Sequence, residues 1–176
     1  MKKALFLDRD GVVNVDKNYL YKIKDFEFIN GIFSLCQYYQ NLGYLIFIVT
    51  NQSGISRGHY TKDDFNILTN WMIGKFIKNN IKITKVYYCP HHPDITGECD
   101  CRKPKPGMLF DAATEYNLDL QGSILIGDKE RDIEAGLNAG LSETYLFDKS
   151  NYITASKATK IVSKFDDIWK TNVDFK

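Results

Sequence analysis

Long apolar runs, a surplus of either charge, and repeats are all missing from this sequence. After Met1-Lys2-Lys3 the hydrophobic stretch Ala4 to Leu7 is cut off at once by Asp8. That is too short for a signal-peptide core or a bilayer span, so a soluble, cytoplasmic protein with no membrane partner is expected. Lys and Arg number 23 against 22 Asp and Glu, a formal net charge of +1. With no global positive field, nucleic acid is not an expected partner, and any selectivity for anions has to be local. A disulfide framework is missing too. Of four cysteines, Cys36 lies in a helical apolar pattern, while Cys89, Cys99 and Cys101 crowd together with His91. In a reducing compartment such a cluster points to metal more than to disulfides.

What is present fits one ordinary globular domain over residues 1–176. The hydrophobic share is 44% and the charged share 26%, and a chain of this length buries roughly two-thirds of its unfolded surface. No partner protein is implied, and a monomer is expected. Lys3 to Leu7 reads as a buried strand delivering side chains to a loop, and Tyr44 to Thr50 as a second. Between them Ile32, Leu35, Cys36, Tyr39 and Leu42 recur at helical spacing, with Gly43 as the stop. Thr61, Asp63 and Asp64 open a further helix whose apolar face is Phe65, Leu68, Met72, Phe76 and Ile77, ending near Asn79 and Asn80. Val86 to Cys89 is a third strand, and Pro90 to Lys105 an irregular loop. Pro106 begins a helix carrying Leu109, Phe110 and Ala113. Ser123 to Ile126 is a strand, Glu130 to Ala139 a helix closed by Gly140, and Glu143 to Phe147 another strand. One or two helices are predicted beyond Ser150, with Ile161, Val162, Phe165, Ile168 and Trp169 inward. The alternation implies an α/β fold, a doubly wound parallel sheet with helices on both faces.

Asp8-Arg9-Asp10-Gly11-Val12 follows the first strand directly. Residues two apart in an extended chain point the same way, so Asp8 and Asp10 should share a small volume at the strand's carboxyl end. Two such carboxylates need a proton or a cation between them, and Mg²⁺ suits oxygen ligands. Asp10-Gly11 is, by itself, also an ordinary turn signal. Asp128, in Ile126-Gly127-Asp128-Lys129, emerges at the same sheet edge, where open parallel sheets place their ligands. Thr50 and Asn51 end the second strand there, and Lys103 or Lys105 can bring positive charge. Asp132 could serve the site or simply complement the dipole of its helix.

Asp8-x-Asp10-Gly11-Val12, then Thr50, then a Lys, then Gly127-Asp128-x-x-x-Asp132 resembles the four ordered motifs of the haloacid dehalogenase superfamily. Val49-Thr50-Asn51-Gln52-Ser53-Gly54-Ile55 and Cys99-Asp100-Cys101-Arg102-Lys103-Pro104-x-Pro106-Gly107-Met108 narrow the likeness to its heptose bisphosphate and histidinol phosphatase branch, over nearly the whole chain. The resemblance implies a capless Rossmann-like phosphatase domain. Asp8 would be the nucleophile that forms an aspartyl phosphate, and Asp10 the acid and base. Mg²⁺ would lie on the Asp8 carboxylate, the Asp10 backbone carbonyl and Asp128. Thr50 and Lys103 would hold the transferring phosphoryl group.

Cys89-Pro90-His91 and Cys99-Asp100-Cys101 are two ligand pairs of i, i+2 spacing within thirteen residues. Four such donors fit tetrahedral Zn²⁺ with no position left for water, hence a structural site. Reduced thiols or a disulfide are the other readings. His92 is a rival ligand, but in extended chain it points away from His91's side. The branch carries a similar zinc loop.

The segments 12–30 and 51–60 are too short for a cap domain, so loops must choose the substrate. Arg102 is a planar fork for a second phosphate. In the similar heptose enzymes Asp16, Lys17, Asn18 and Tyr19 lie on the sugar-holding loop, and Asn51, Gln52, Ser53 and Lys129 also fall at substrate positions. Asn18 stands where those enzymes often have Gly, and Asn tolerates positive φ. The expected reaction is therefore hydrolysis of the 7-phosphate of D-glycero-D-manno-heptose 1,7-bisphosphate, toward activated heptose for lipopolysaccharide. Histidinol phosphate is the alternative substrate and would call for a carboxylate in place of Arg102. A zinc-stabilised binding module with a vestigial site is the non-enzymatic alternative.

Overall fold

Six strands, β1 (Ala4–Leu7), β2 (Leu45–Asn51), β3 (Ile83–Cys89), β4 (Ile124–Gly127), β5 (Glu143–Phe147) and β6 (Lys160–Val162), form one sheet in a computed structural model that describes residues 1–169. Their order is β3-β2-β1-β4-β5-β6, and every pairing is parallel. β1 is buried along its whole length, and the two-residue period of a strand divides it between two cores. Leu5 and Leu7, with Ile46, Ile48, Ile124 and Ile126, face α1 (Ile32–Asn41), α2 (Lys62–Lys78) and α6 (Asp166–Trp169). Ala4 and Phe6, with Phe47, Val49, Leu125 and Leu146, face α4 (Gly107–Tyr116) and α5 (Glu130–Asn138). The run of apolar residues in β1 thus records burial on both faces.

The helix ends follow local chemistry. Thr61 caps α2, accepting from Asp64 N at 3.1 Å while Asp64 Oδ2 accepts from Thr61 N at 2.8 Å, a reciprocal pair worth about 1 kcal/mol. Gly43, after α1, adopts φ +85, a turn that residues with a Cβ resist.

The first five strands lie where the sequence predicted them, with β3 beginning three residues earlier than expected. The C-terminal segment does not. Helices were predicted beyond Ser150, but Lys160–Val162 is a strand paired with β5, Phe147 opposite Val162, and the helix after it, α6, is a single turn. The β-branched pair Ile161-Val162 completes the otherwise open edge of β5. Any continuation of the helical reading past Trp169 lies outside the described residues. The loop Pro90 to Lys105 also contains a one-turn helix, α3 (Pro93–Thr96). Leu42, Ile77 and Phe110 are exposed rather than inward. Ile77 and Phe110 each follow a buried residue, Phe76 and Leu109, and the 100° step of a helix turns them out. Among the described residues no helix is long and apolar enough to cross a membrane.

The strand order reverses around β1, so the loops after β2 and β4 flank the loop after β1. Leu7 lies opposite Ile48 and Ile126. Asp8, Thr50 and Asp128, one or two residues further on, therefore leave the sheet side by side at its carboxyl edge.

Candidate active site

Asp8 extends the ladder of β1 by one bond, its N–H donating to Ile126 O at 3.0 Å. Its side chain is 5% exposed. Oδ1 accepts from Arg9 N at 2.8 Å and stands 2.9 Å from Lys103 Nζ. Lys103, also buried, donates to Val49 O at 2.8 Å and meets Asp132 Oδ1 at 2.8 Å. The backbone of Lys103 is clamped by Asn51, whose Nδ2 donates to Lys103 O and whose Oδ1 accepts from Lys103 N, both at 3.1 Å.

Oxygens of Asp8, Asp128 and Asp132 lie within 4.8 Å of one another. Burial, reinforced by the Asp132 and Asp128 charges, raises the Asp8 pKa to about 8 despite Lys103. Burial also pushes Asp128 up. For Lys103, burial works against the ammonium, but the Asp132 and Asp8 carboxylates outweigh it and the net shift is upward. Lys103 serves Asp8 and Asp132, and Lys129 stands 2.7 Å from Asp128 Oδ2, but Asp128 Oδ1 is buried with no hydrogen-bond partner among the described residues. Gly11, at φ +92, leaves space for that carboxylate, since a Cβ there would lie 2.3 Å from Asp128 Oδ2. Two hard carboxylates, one with an orphaned oxygen, fit a divalent cation such as Mg²⁺. Asp132 is already engaged, holding Lys103 through Oδ1 and accepting from Lys129 N through Oδ2 at 3.0 Å. Its place is beneath the lysine rather than at the helix surface.

Asp10 departs from the cation-sharing pair that its spacing suggested. It lines the pocket with Asp8, but its carboxylate is neutralised by Arg9, whose Nη2 lies 3.0 Å from Oδ1 and 2.9 Å from Oδ2. Asn14 Nδ2 donates to Oδ1 at 3.0 Å and Gln52 Nε2 to Oδ2 at 2.9 Å. Gln52 Nε2 also donates to Thr50 Oγ1 at 2.8 Å, and Gln52 Oε1 accepts from the Tyr60 hydroxyl. Thr50 and Asp10 are thereby fixed by one amide.

These groups open into a cavity of about 340 Å³, lined also by Asp16, Asn18, Tyr19, Asn51, Ser53, Arg102 and Lys129. Asn18 and Tyr19 both adopt positive φ, +50 and +51, as the tolerance of Asn at this turn allowed. Lys17 is not part of the lining. Its ammonium is drawn away to Asp25 O at 2.9 Å and to the Glu27 carboxylate at 3.3 Å. Arg57, Tyr60 and Arg131 line the cavity without having been singled out from the sequence, His92 lines it although it was weighed only as a rival zinc ligand, and the buried Arg9 was not singled out either. Arg9 carried a signal, the need of Asp10 for a counter-charge. The others carried none.

Cys89 ends β3, and its Sγ lies 3.8 Å from His91 Nδ1 and 3.6 Å from Cys99 Sγ. Cys101 Sγ lies 3.4 Å from His91 Nδ1 and 3.5 Å from Cys99 Sγ. Tetrahedral ligands about 2.0–2.3 Å from a common ion stand roughly 3.4–3.8 Å apart, and all the cysteines are free. The four donors therefore fit a metal ion. His92 is outside the cluster, as the alternation predicted. Directly after Cys101, Arg102 Nη1 donates to His91 O at 3.0 Å.

Residues 100–152 match the HAD-hydrolase-like family model. Over 144 residues the chain is 56% identical to the D-glycero-alpha-D-manno-heptose-1,7-bisphosphate 7-phosphatase of Campylobacter jejuni, covering 82% of this chain and 81% of that protein. It is 46% identical over 158 residues to the D-glycero-beta-D-manno-heptose-1,7-bisphosphate 7-phosphatase of Pasteurella multocida, covering 88% and 86%. The crystal structure of D,D-heptose 1,7-bisphosphate phosphatase from B. bronchiseptica, complexed with magnesium and phosphate, matches with a TM-score of 0.84 at 29% identity. That match covers 97% of this chain and 98% of the other.

Proposed function

Because the chain belongs to the HAD-like family of heptose-1,7-bisphosphate 7-phosphatases, we propose that it hydrolyses the 7-phosphate of D-glycero-D-manno-heptose 1,7-bisphosphate. The observation that carries this reading is the grouping of Asp8, Thr50 and Asp128 around one cavity edge, with buried Lys103 paired to Asp8 and an Asp128 oxygen left unpaired. The step leads toward activated heptose for lipopolysaccharide. The reading assigns it to a single cytoplasmic domain acting as a monomer, without nucleic acid.

Asp8 attacks phosphorus in line, forming an O–P bond as the bond to the sugar oxygen breaks. Asp10 gives its proton to that departing oxygen. Asp10, now ionised, takes a proton from water, whose oxygen displaces Asp8 from phosphorus and releases inorganic phosphate. The proton gained restores the acid for the next turnover. Arg9, Asn14 and Gln52 stabilise Asp10 in the ionised state between the two displacements. Thr50, held by Gln52, meets the phosphoryl oxygens as a fixed donor, and Lys103, held by Asp8, Asp132 and Val49 O, supplies a fixed positive charge beside them. Mg²⁺, when bound by Asp8, Asp128 and the Asp10 backbone carbonyl, supplies charge neutralisation between carboxylate and phosphate. Cys89, His91, Cys99 and Cys101 hold zinc in a structural role, stiffening the loop that delivers Arg102 and Lys103.

A phosphate-release panel with Mg²⁺ tests the reading, comparing both heptose bisphosphate anomers, heptose 7-phosphate and histidinol phosphate, with metal analysis alongside. A heptose bisphosphate should be the fastest substrate, and about one zinc should accompany each chain. Faster release from histidinol phosphate, or none from any ester, would overturn it.

A further inference from the structure

We infer that Arg57 is a specificity-determining contact for the second, non-transferred phosphate of a bisphosphorylated substrate, and that His92 is the positioning residue that aims it. The inference deepens the phosphatase reading and rests on it. Arg57 lies on the loop after β2, where its N–H donates to Ser53 O at 3.0 Å, and its side chain lines the cavity. Its Nη2 stands 2.6 Å from His92 Nε2.

Arginine can only donate, so Nε2 is the acceptor. The other ring nitrogen, Nδ1, lies 3.3 Å from Asp94 N and 3.6 Å from the Asp94 carboxylate. The backbone of His92 is itself tied down, its N–H donating to Thr96 Oγ1 at 3.0 Å. An imidazole held from behind offers the guanidinium a hydrogen bond without cancelling its charge. A carboxylate in the same place would cancel it.

Three other cations of the site have been used. Asp8 is paired with Lys103, Asp10 with Arg9, and Asp128 with Lys129. Arg57 forms no carboxylate pair among the described residues, and neither does Arg131 or Arg102, the last resting its Nη1 on the backbone oxygen of His91. Two successive residues of the metal loop, His91 and His92, thus brace two guanidiniums on one side of the cavity, each with charge and donors to spare. His91 belongs to the Cys/His cluster, so the same loop that fixes Lys103 at the floor fixes this pair at the mouth. A dianionic phosphate met by forked donors is the ligand such a wall selects.

The test compares kcat and KM of the intact protein with Mg²⁺ on heptose 1,7-bisphosphate and on heptose 7-phosphate, which lacks the second phosphate. Arg57→Met should lower the bisphosphate-over-monophosphate preference in kcat/KM by roughly tenfold to a hundredfold, chiefly through KM. Arg57→Lys, which keeps the charge and loses the fork, should fall between, and serves if the Met variant does not fold. His92→Phe should lower the same preference by a smaller factor, and His92→Gln, which returns a side-chain acceptor, should recover part of it. An equal loss on both substrates would overturn the inference, because a merely structural residue would give that result. It would also be overturned if Arg131→Met, on the far side of β1, changed the preference and Arg57→Met did not. Failure of the unaltered protein to release phosphate from either ester would remove the phosphatase reading and this inference with it.

Discussion

Lys103, buried against the cavity residue Asp8, and Arg57, on the cavity lining, are two cations held in opposite ways. Lys103 is 2% exposed and has three oxygen acceptors, two of them carboxylates. Arg57 is exposed and leans on one imidazole nitrogen. The contrast extends to their surroundings. At the floor each charge is buried against its counter-charge, so removal of one partner strands the others in a medium that penalises them. At the rim, water and salt screen every pair, and a lost contact changes which ligand is preferred more than whether the fold survives.

Lys103→Met should show the largest effect. Turnover should fall about 10²-fold or more, and stability should drop by about 3–5 kcal/mol, since Asp8 and Asp132 lose their shared cation. Steady-state kinetics and denaturant titration measure both. A stability loss under about 1 kcal/mol would place the floor in the same class as the rim and break the comparison. Next in size is removal of metal from the Cys/His loop by chelation, with Mg²⁺ kept in excess. Because Arg102 and Lys103 follow Cys101 directly, kcat/KM should fall by roughly tenfold to 10²-fold without complete unfolding, as followed by circular dichroism. Unchanged kinetics after full metal loss would separate the loop from the site.

A third effect is one of pH. In the metal-free protein the Asp8 pKa is raised from its ordinary 3.8 to about 8. The native state therefore favours the protonated form, and its contribution to stability is complete below the ordinary value and lost as pH rises through about 8. Asp128 is shifted in the same direction. Melting temperature in the absence of divalent ions should accordingly decline from pH 4 to pH 8 in wild type relative to Asp8→Asn, and Mg²⁺ should remove that decline. Parallel pH profiles for the two proteins would show that Asp8 is not desolvated.

The floor was also the part that could be read in advance. A strand run ending in Asp8 and another ending in Gly127-Asp128 leave little freedom in a parallel sheet, because side-chain parity and strand direction are local properties. The ligand pairs Cys89, His91 and Cys99, Cys101 were legible for the same reason. Lys17 misled because its direction is set by Asp25 and Glu27 across the loop, a tertiary fact with no local mark. Arg9 was hidden by parity itself. An extended chain would turn it away from Asp10, but a turn begins at Arg9 and returns its guanidinium to the neighbouring carboxylate. β6 was missed because three residues are too few for a period, and its pairing exists only once β5 offers an edge.

Asp8 and then water are assigned successive displacements at phosphorus, and the stereochemical course of transfer is the sharpest check on that assignment. With the 7-phosphoryl group made chiral by oxygen isotopes or sulfur, two in-line displacements should return phosphate with retained configuration. Inversion would mean that water attacks the ester in a single step, and would contradict the role given to Asp8.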